Sequence, residues 1–207
     1  MTAVTYGITT TARIKTPLDI STSTFDTLIK RLLYAATDFI EKQCGGRRFE
    51  ETIYTEEIYD GSNRDRSRKE WIQLKNSPVT ALTTVQYNVG IISNPSWITF
   101  NTDDFQGIND EGIIRFFQRV PRGLQNIRIT YTAGYTIDFA TNEFDDALHT
   151  LPYDLTELCE RLVVRAFKKR DSEGKRIEGF ADSTITWIED LTKEDKQVIA
   201  NYRRFDF

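Results

Sequence analysis

Cysteine, histidine and methionine are nearly missing from this 207-residue chain, which has two, one and one of them. Cys44 and Cys159 are far apart, each on an apolar helical stripe, and read as free core thiols in a reducing compartment rather than as a disulfide. The lone His149 cannot anchor a multi-histidine metal site. It also leaves Cys44 without a plausible base, and a helix C-terminus would raise that thiol's pKa further. No apolar run is long enough for a membrane span, and no cleavable signal region opens the chain, so the expected setting is soluble and cytosolic. A basic excess is also lacking. Lys and Arg number 27 against 31 Asp and Glu, a net charge of −4 that argues against a general nucleic-acid binder. The chain carries no G-x-S-x-G elbow, no phosphate-binding glycine loop followed by Lys-Ser/Thr, and no Cys/His cluster at metal spacing. The acidic stretch 143–146 lacks the ligand spacing of a calcium loop and reads as solvated. The expectation is therefore no catalysis, no metal and no cofactor.

What is present is a sharp change of period. Phe25, Leu28, Ile29, Leu32, Leu33, Ala36, Phe39 and Ile40 recur at three- and four-residue spacing, which predicts an amphipathic helix 1 within 22–46. Ser23 with Asp26 three positions on forms a start signal, and Gly45-Gly46 forms a stop. Across 47–136 the period falls to two, in TIYTEEIY, WIQLK, the alternation from Val79 to Val89, WITF, IIRFF and NIRITYTAGY. Five or six short strands in a small antiparallel sheet or open barrel are expected there. After an acidic connector, 137–150, helix 2 is predicted within 151–174, with Leu155, Leu158, Cys159, Leu162, Val163, Ala166 and Phe167 on one face. Residues 175–191 read as a loop or short strand. Thr192 with Asp195 caps a last helix in 192–207. The fold class is thus α+β: a small bundle of about three helices with an antiparallel β-module inserted between the first two. Leu28, Leu32 and Phe39 are expected to pack against Leu158, Leu162 and Phe167.

Other segments admit two readings each. The threonine-rich arm 1–21 is either loosely held or an extended segment pairing with a neighbouring subunit. The tip 60–70 carries Arg64, Arg66, Arg68 and Lys69, and is either a solvated loop or a contact to phosphate or an acidic partner. The aromatic tail after Arg203 and Arg204, with Phe205 and Phe207, is either frayed or buried against something else.

The segments AATDFIEKQCGGRRF, LKNSPVTALTTV, RITYTAGY and LPYDLTELCERLVVRAFKKR occur in that order over roughly residues 22–175. In this the chain resembles the head–tail connector (adaptor, or head-completion) proteins of tailed bacteriophages. It departs from them in the second glycine, Gly46, in the arginine-bearing tip, and in a long 136–150 segment. The resemblance implies a structural virion protein of the neck, made in the host cytoplasm and binding no membrane. It would form a homo-oligomeric ring, a dodecamer, beneath the portal protein, extend the channel for double-stranded DNA, and seat the next neck or tail protein. By position it places Ile177, Phe180, Trp187, Arg203, Arg204, Phe205 and Phe207 at the portal. A conduit should not grip DNA, since each neutralised phosphate adds affinity, so Asp138, Glu143, Asp145 and Asp146, or else helix carboxylates, are expected to line the channel. Rival readings are another neck or tail-completion component, or a host binding module.

Overall fold

The computed structural model describes residues 6–61, 70–108, 110–118, 120–137, 150–170 and 191–203. The fold is α+β, with four α-helices and two antiparallel sheets among the described residues. It divides into a helical unit drawn from Met1–Phe49 and Thr136–Asp206, and a sheet unit, Glu50–Tyr135.

The helical unit contains α1 (Thr11–Lys15), α2 (Asp26–Gln43), α3 (Tyr153–Lys169) and α4 (Lys193–Tyr202). The apolar stripe of α2 buries Ile29, Leu32, Leu33, Ala36 and Ile40, and that of α3 buries Leu155, Leu158, Cys159, Leu162, Val163 and Phe167. The two run antiparallel: Phe25 meets Phe167 edge-on, with ring centroids 5.4 Å apart, while Thr37 Oγ1 lies 4.0 Å from Cys159 Sγ. Gly45 and Gly46 both have positive φ. Their amides reach back to the carbonyls of Lys42 (3.2 Å) and Glu41 (2.9 Å), the paired bonds of a Schellman stop.

Two features differ from the sequence reading. The described part of the arm is neither loose nor an extended strand, because Ile8 and Ile14 are fully buried and α1 adds a fourth helix. The Ile8 amide donates to Thr37 Oγ1 (3.3 Å) and the Thr9 hydroxyl to Glu160 (2.7 Å), which fixes the arm to α2 and α3. Threonine content disguised it, since a five-residue helix is too short to show a period. The second difference is the start of α2. Ser23 does not cap it; Phe25 occupies the cap position without a side-chain bond, and Asp26 instead pairs with Lys15 at 2.8 Å. Once α1 supplies that cation, the carboxylate is used there.

Among its described residues the sheet unit holds seven strands: β1 (Thr52–Tyr59), β2 (Trp71–Gln73), β3 (Val79–Asn88), β4 (Trp97–Thr99), β5 (Phe105–Ile108), β6 (Ile113–Phe116) and β7 (Ile127–Ala133). One sheet has the order β1-β7-β3-β4, the other β2-β6-β5. Ile72, Ile114 and Phe116 of the smaller sheet, with Leu74 just past β2, close over Val85, Ile127, Ile129 and Tyr131 of the larger, making a single core. The strand missed by the sequence reading is β5. Asp103-Asp104 and Gly107 look like turn residues, and Asp104 does close a capping box with Asn101 just before it. Gly134, in YTAGY, has φ +119, and a Cβ there would meet the Glu50 carbonyl oxygen at 2.6 Å. A glycine is needed where the entering chain passes so close.

Candidate interaction surfaces

Three arrangements in the described residues go beyond simple packing. The first fixes α4, the element from which the C-terminal tail departs. Asp195 is fully buried and receives two arginines from successive turns of α3, Arg165 at 2.7 Å and Arg161 at 3.1 Å. The same carboxylate completes the α4 capping box by accepting from the Thr192 amide at 3.1 Å. Burial pushes the Asp195 carboxyl up, but hydrogen bonds from Arg165 and Thr192 outweigh it and hold it below its ordinary value. At the far end of α4 the Tyr202 hydroxyl donates to Asp154 (2.7 Å), and Arg47 Nη1 donates to the Tyr202 carbonyl (3.0 Å). The helix is clamped at both ends, and Ile199 is buried between.

The second arrangement surrounds Glu41 near the end of α2. Its carboxylate accepts from the Tyr6 hydroxyl and from the Phe49 amide (2.9 Å). Burial raises the Glu41 pKa, and these hydrogen bonds with nearby Arg48 only partly oppose it. Arg48 also lies over the Tyr6 ring, 5.7 Å from its centroid, and Arg47 over Phe49 at 5.5 Å. The Cys-Gly-Gly-Arg-Arg-Phe segment thus ties the arm and the C-terminal helix to the end of α2. Cys44 and Cys159 are free and buried, with burial lifting each thiol to about 12, so neither is poised for nucleophilic chemistry.

The third arrangement lies within the sheet unit. Glu57 points inward and accepts from the hydroxyls of Tyr59 (2.6 Å) and Tyr131 (2.8 Å), with Lys75 at 3.6 Å. At the other surface of the large sheet, Arg128 pairs with Glu56 (3.0 Å), donates to Gln86 (2.9 Å) and stacks over Trp97 (4.6 Å).

Most residues singled out from the sequence fall elsewhere. Ile177, Phe180, Trp187, Arg204, Phe205 and Phe207 lie outside the described residues, as do Arg64, Arg66, Arg68 and Lys69, and Asp138, Glu143, Asp145 and Asp146. Arg203 is described: it is exposed, and its amide bonds the Ala200 carbonyl (3.3 Å) at the end of α4. Leu32, Leu158, Leu162 and Phe167 are buried, while Leu28 and Phe39 are half-buried. The sequence reading gave Asp195 only its capping role and Asp154 only a place near the α3 dipole. The i, i+4 pair Arg161 and Arg165 was the available signal for a buried carboxylate partner.

No curated protein matches the chain. Among solved structures, a chain described as "Neck of empty GTA particle computed with C6 symmetry" has a similar fold. It shares 16% identity with a TM-score of 0.53, covering 100% of this chain and 95% of that one. The family described as "Head completion protein" matches residues 7–205, from the buried arm through the sheet unit to just past α4. With a match of that extent, the chain belongs to the head completion protein family, whose part in the virion is structural, at the junction of phage head and tail.

Proposed function

We propose that the chain is a ring-forming adaptor of the phage neck, seated beneath the portal protein once DNA is packaged. The ring extends the DNA channel and presents a platform for the next neck or tail protein. It catalyses no reaction, needs no cofactor, and is made in the host cytoplasm before it joins the particle. The observation that carries this reading is the family match over residues 7–205. A net charge of −4 per copy supports it, since repeated copies around a channel would let DNA slide rather than hold it. Asp138, Glu143, Asp145 and Asp146 are proposed to face that channel, and Arg64, Arg66, Arg68 and Lys69 a protein partner or a local stretch of phosphate.

Twelve copies is the proposed ring number. A second reading, a six-copy ring farther from the portal, is favoured by the C6 symmetry stated for the structural neighbour's particle. A twelve-fold axis contains a six-fold one, so that symmetry is compatible with both.

The portal contact is proposed to involve 175–187 and the tail, 203–207. Support comes from α4: its clamp on α3 delivers Arg203 to an exposed position from which the tail leaves a fixed base. Removing 203–207 should leave a folded subunit, with an unchanged circular dichroism melt, that no longer joins portal-bearing heads. Normal incorporation of the truncated chain would refute the tail's role.

A further inference from the structure

In a chain where 28% of residues are charged, none of the 27 positions from Asn76 to Thr102 carries a charge. That stretch holds β3, β4 and the hairpin between them. The hairpin exposes its aliphatic side chains: Val89 is 56% exposed, Ile91 68% and Ile92 77%. Leu124, 68% exposed, lies at the same end of the sheet, because the Asn88 amide bonds the Asn126 carbonyl (2.8 Å). Charge stands at the border of this patch, in exposed Arg122 and in Asp60, whose carboxylate accepts from the Gln125 amide at 2.7 Å.

The knob is built before anything binds it. Asn88 Oδ1 accepts from the amides of both Gly90 and Ser96 at 2.8 Å, the Val89 amide donates to the Ser96 carbonyl (2.9 Å), and the Asn94 amide to that of Ile91 (3.0 Å). Gly90 is needed there, since a Cβ would meet the Asn94 carbonyl oxygen at 2.4 Å. Side chains held ready in this way lose little further freedom on binding. A convex apolar knob with a polar border fits a concave apolar groove on another molecule.

We infer that the β3–β4 hairpin is the plug by which the assembled ring docks the next neck or tail protein, in a groove of uncharged apolar side chains. This deepens the ring reading and rests on it. The size of the knob selects the partner. Its four side chains expose about 300–500 Å², against about 800 Å² from each partner in a standing interface. That is too little to hold one copy to its neighbour, which would meet a single knob. A partner stacked on the ring meets every knob at once, and contacts that are weak singly then add. Another copy is also a poor receptor among the described residues. The cavity of about 490 Å³ beside α1 is lined by Lys15, Asp19 and Asp26. The exposed Ile53 stands two residues from Glu51, whose carboxylate accepts from the Thr80 hydroxyl at 2.7 Å. The portal contact is proposed for 175–187 and the tail after α4, which leaves the hairpin to the partner that follows.

The test uses DNA-filled heads that lack this chain, supplied with the full chain and then with the remaining neck and tail proteins of the same phage. Ile91→Ser with Ile92→Ser should melt like wild type and build the ring at the portal vertex at wild-type occupancy. The yield of completed particles should nevertheless fall roughly tenfold or more. Undiminished completion would overturn the proposal. So would lost ring occupancy, which would assign the hairpin to a second copy or to the portal. Heads on which the wild-type chain builds no ring would overturn the ring reading as well. In parallel, a photoreactive maleimide on Ser93→Cys, in the exposed turn beside Ile92, should form an adduct in completed particles with a virion protein other than this chain or the portal. Cys44 and Cys159 are buried and should not compete. An adduct with another copy or with the portal would also overturn the proposal.

Discussion

Leu32→Asp should abolish the folded subunit rather than one contact. Leu32 is 7% exposed, on the apolar stripe of α2 that faces α3. It lies among the buried Ile29, Leu33 and Ala36, so a carboxylate there would be held among hydrocarbon. The penalty is several kcal/mol, set against a total stability of about 5–15 kcal/mol for a domain. Leu32→Ala, which leaves a cavity and no charge, should cost about 2–5 kcal/mol and still give a soluble chain with a lowered melting temperature. The pair of variants separates charge from volume. Soluble Leu32→Asp protein that still joins heads would show that the α2–α3 pair is not the centre of the helical unit.

Asp195→Ala should release α4 while α2 and α3 stay paired. Removing the carboxylate takes away the acceptor that Arg165 and Arg161 share, though Arg161 keeps Glu157 at 3.3 Å, and breaks the α4 capping box in the same step, a loss of about 2–3 kcal/mol. Hydrogen exchange across Lys193–Tyr202 should accelerate at least tenfold, with α2 and the β-strands little changed. The same carboxylate gives an acid dependence of definite sign. Its folded pKa lies below the ordinary 3.8, so its stabilisation is complete above that value. It is lost as pH falls further, through the lower folded value. Wild-type α4 should therefore stay protected at pH 5 and open only as pH falls well below 3.8, while Asp195→Ala should be open throughout. An α4 equally protected in variant and wild type at neutral pH would mean that Ile199 and the bonds of Tyr202 to Asp154 and Arg47 suffice to hold it.

The layout of the fold could be read from the chain because its cues are local. The period-3.6 stripes of α2 and α3, the glycine pair after α2 and the Thr192–Asp195 box before α4 each act within a few residues. The alternation in β7 from Ile127 to Ala133 is equally local. What could not be read depends on contacts distant in sequence. Asp26 looked like the partner of Ser23 until α1 brought Lys15 to it. The arm looked loose because Ile8 and Ile14 are buried only once α2 and α3 are in place. Glu57 sits inward on β1 with no local mark of it, since its partners Tyr131 and Lys75 come from other segments. The interaction surfaces were harder still. The sequence drew the eye to charge, in the arginine tip and the acidic connector, and both of these fall outside the described residues.

The most direct measurement is electron microscopy of purified, DNA-filled heads that lack this chain, before and after the full-length protein is added. The account predicts a new ring at the portal vertex, built from copies of this chain around an open channel. Heads that leave the mixture unchanged, or the chain bound as scattered monomers away from the portal vertex, would contradict it.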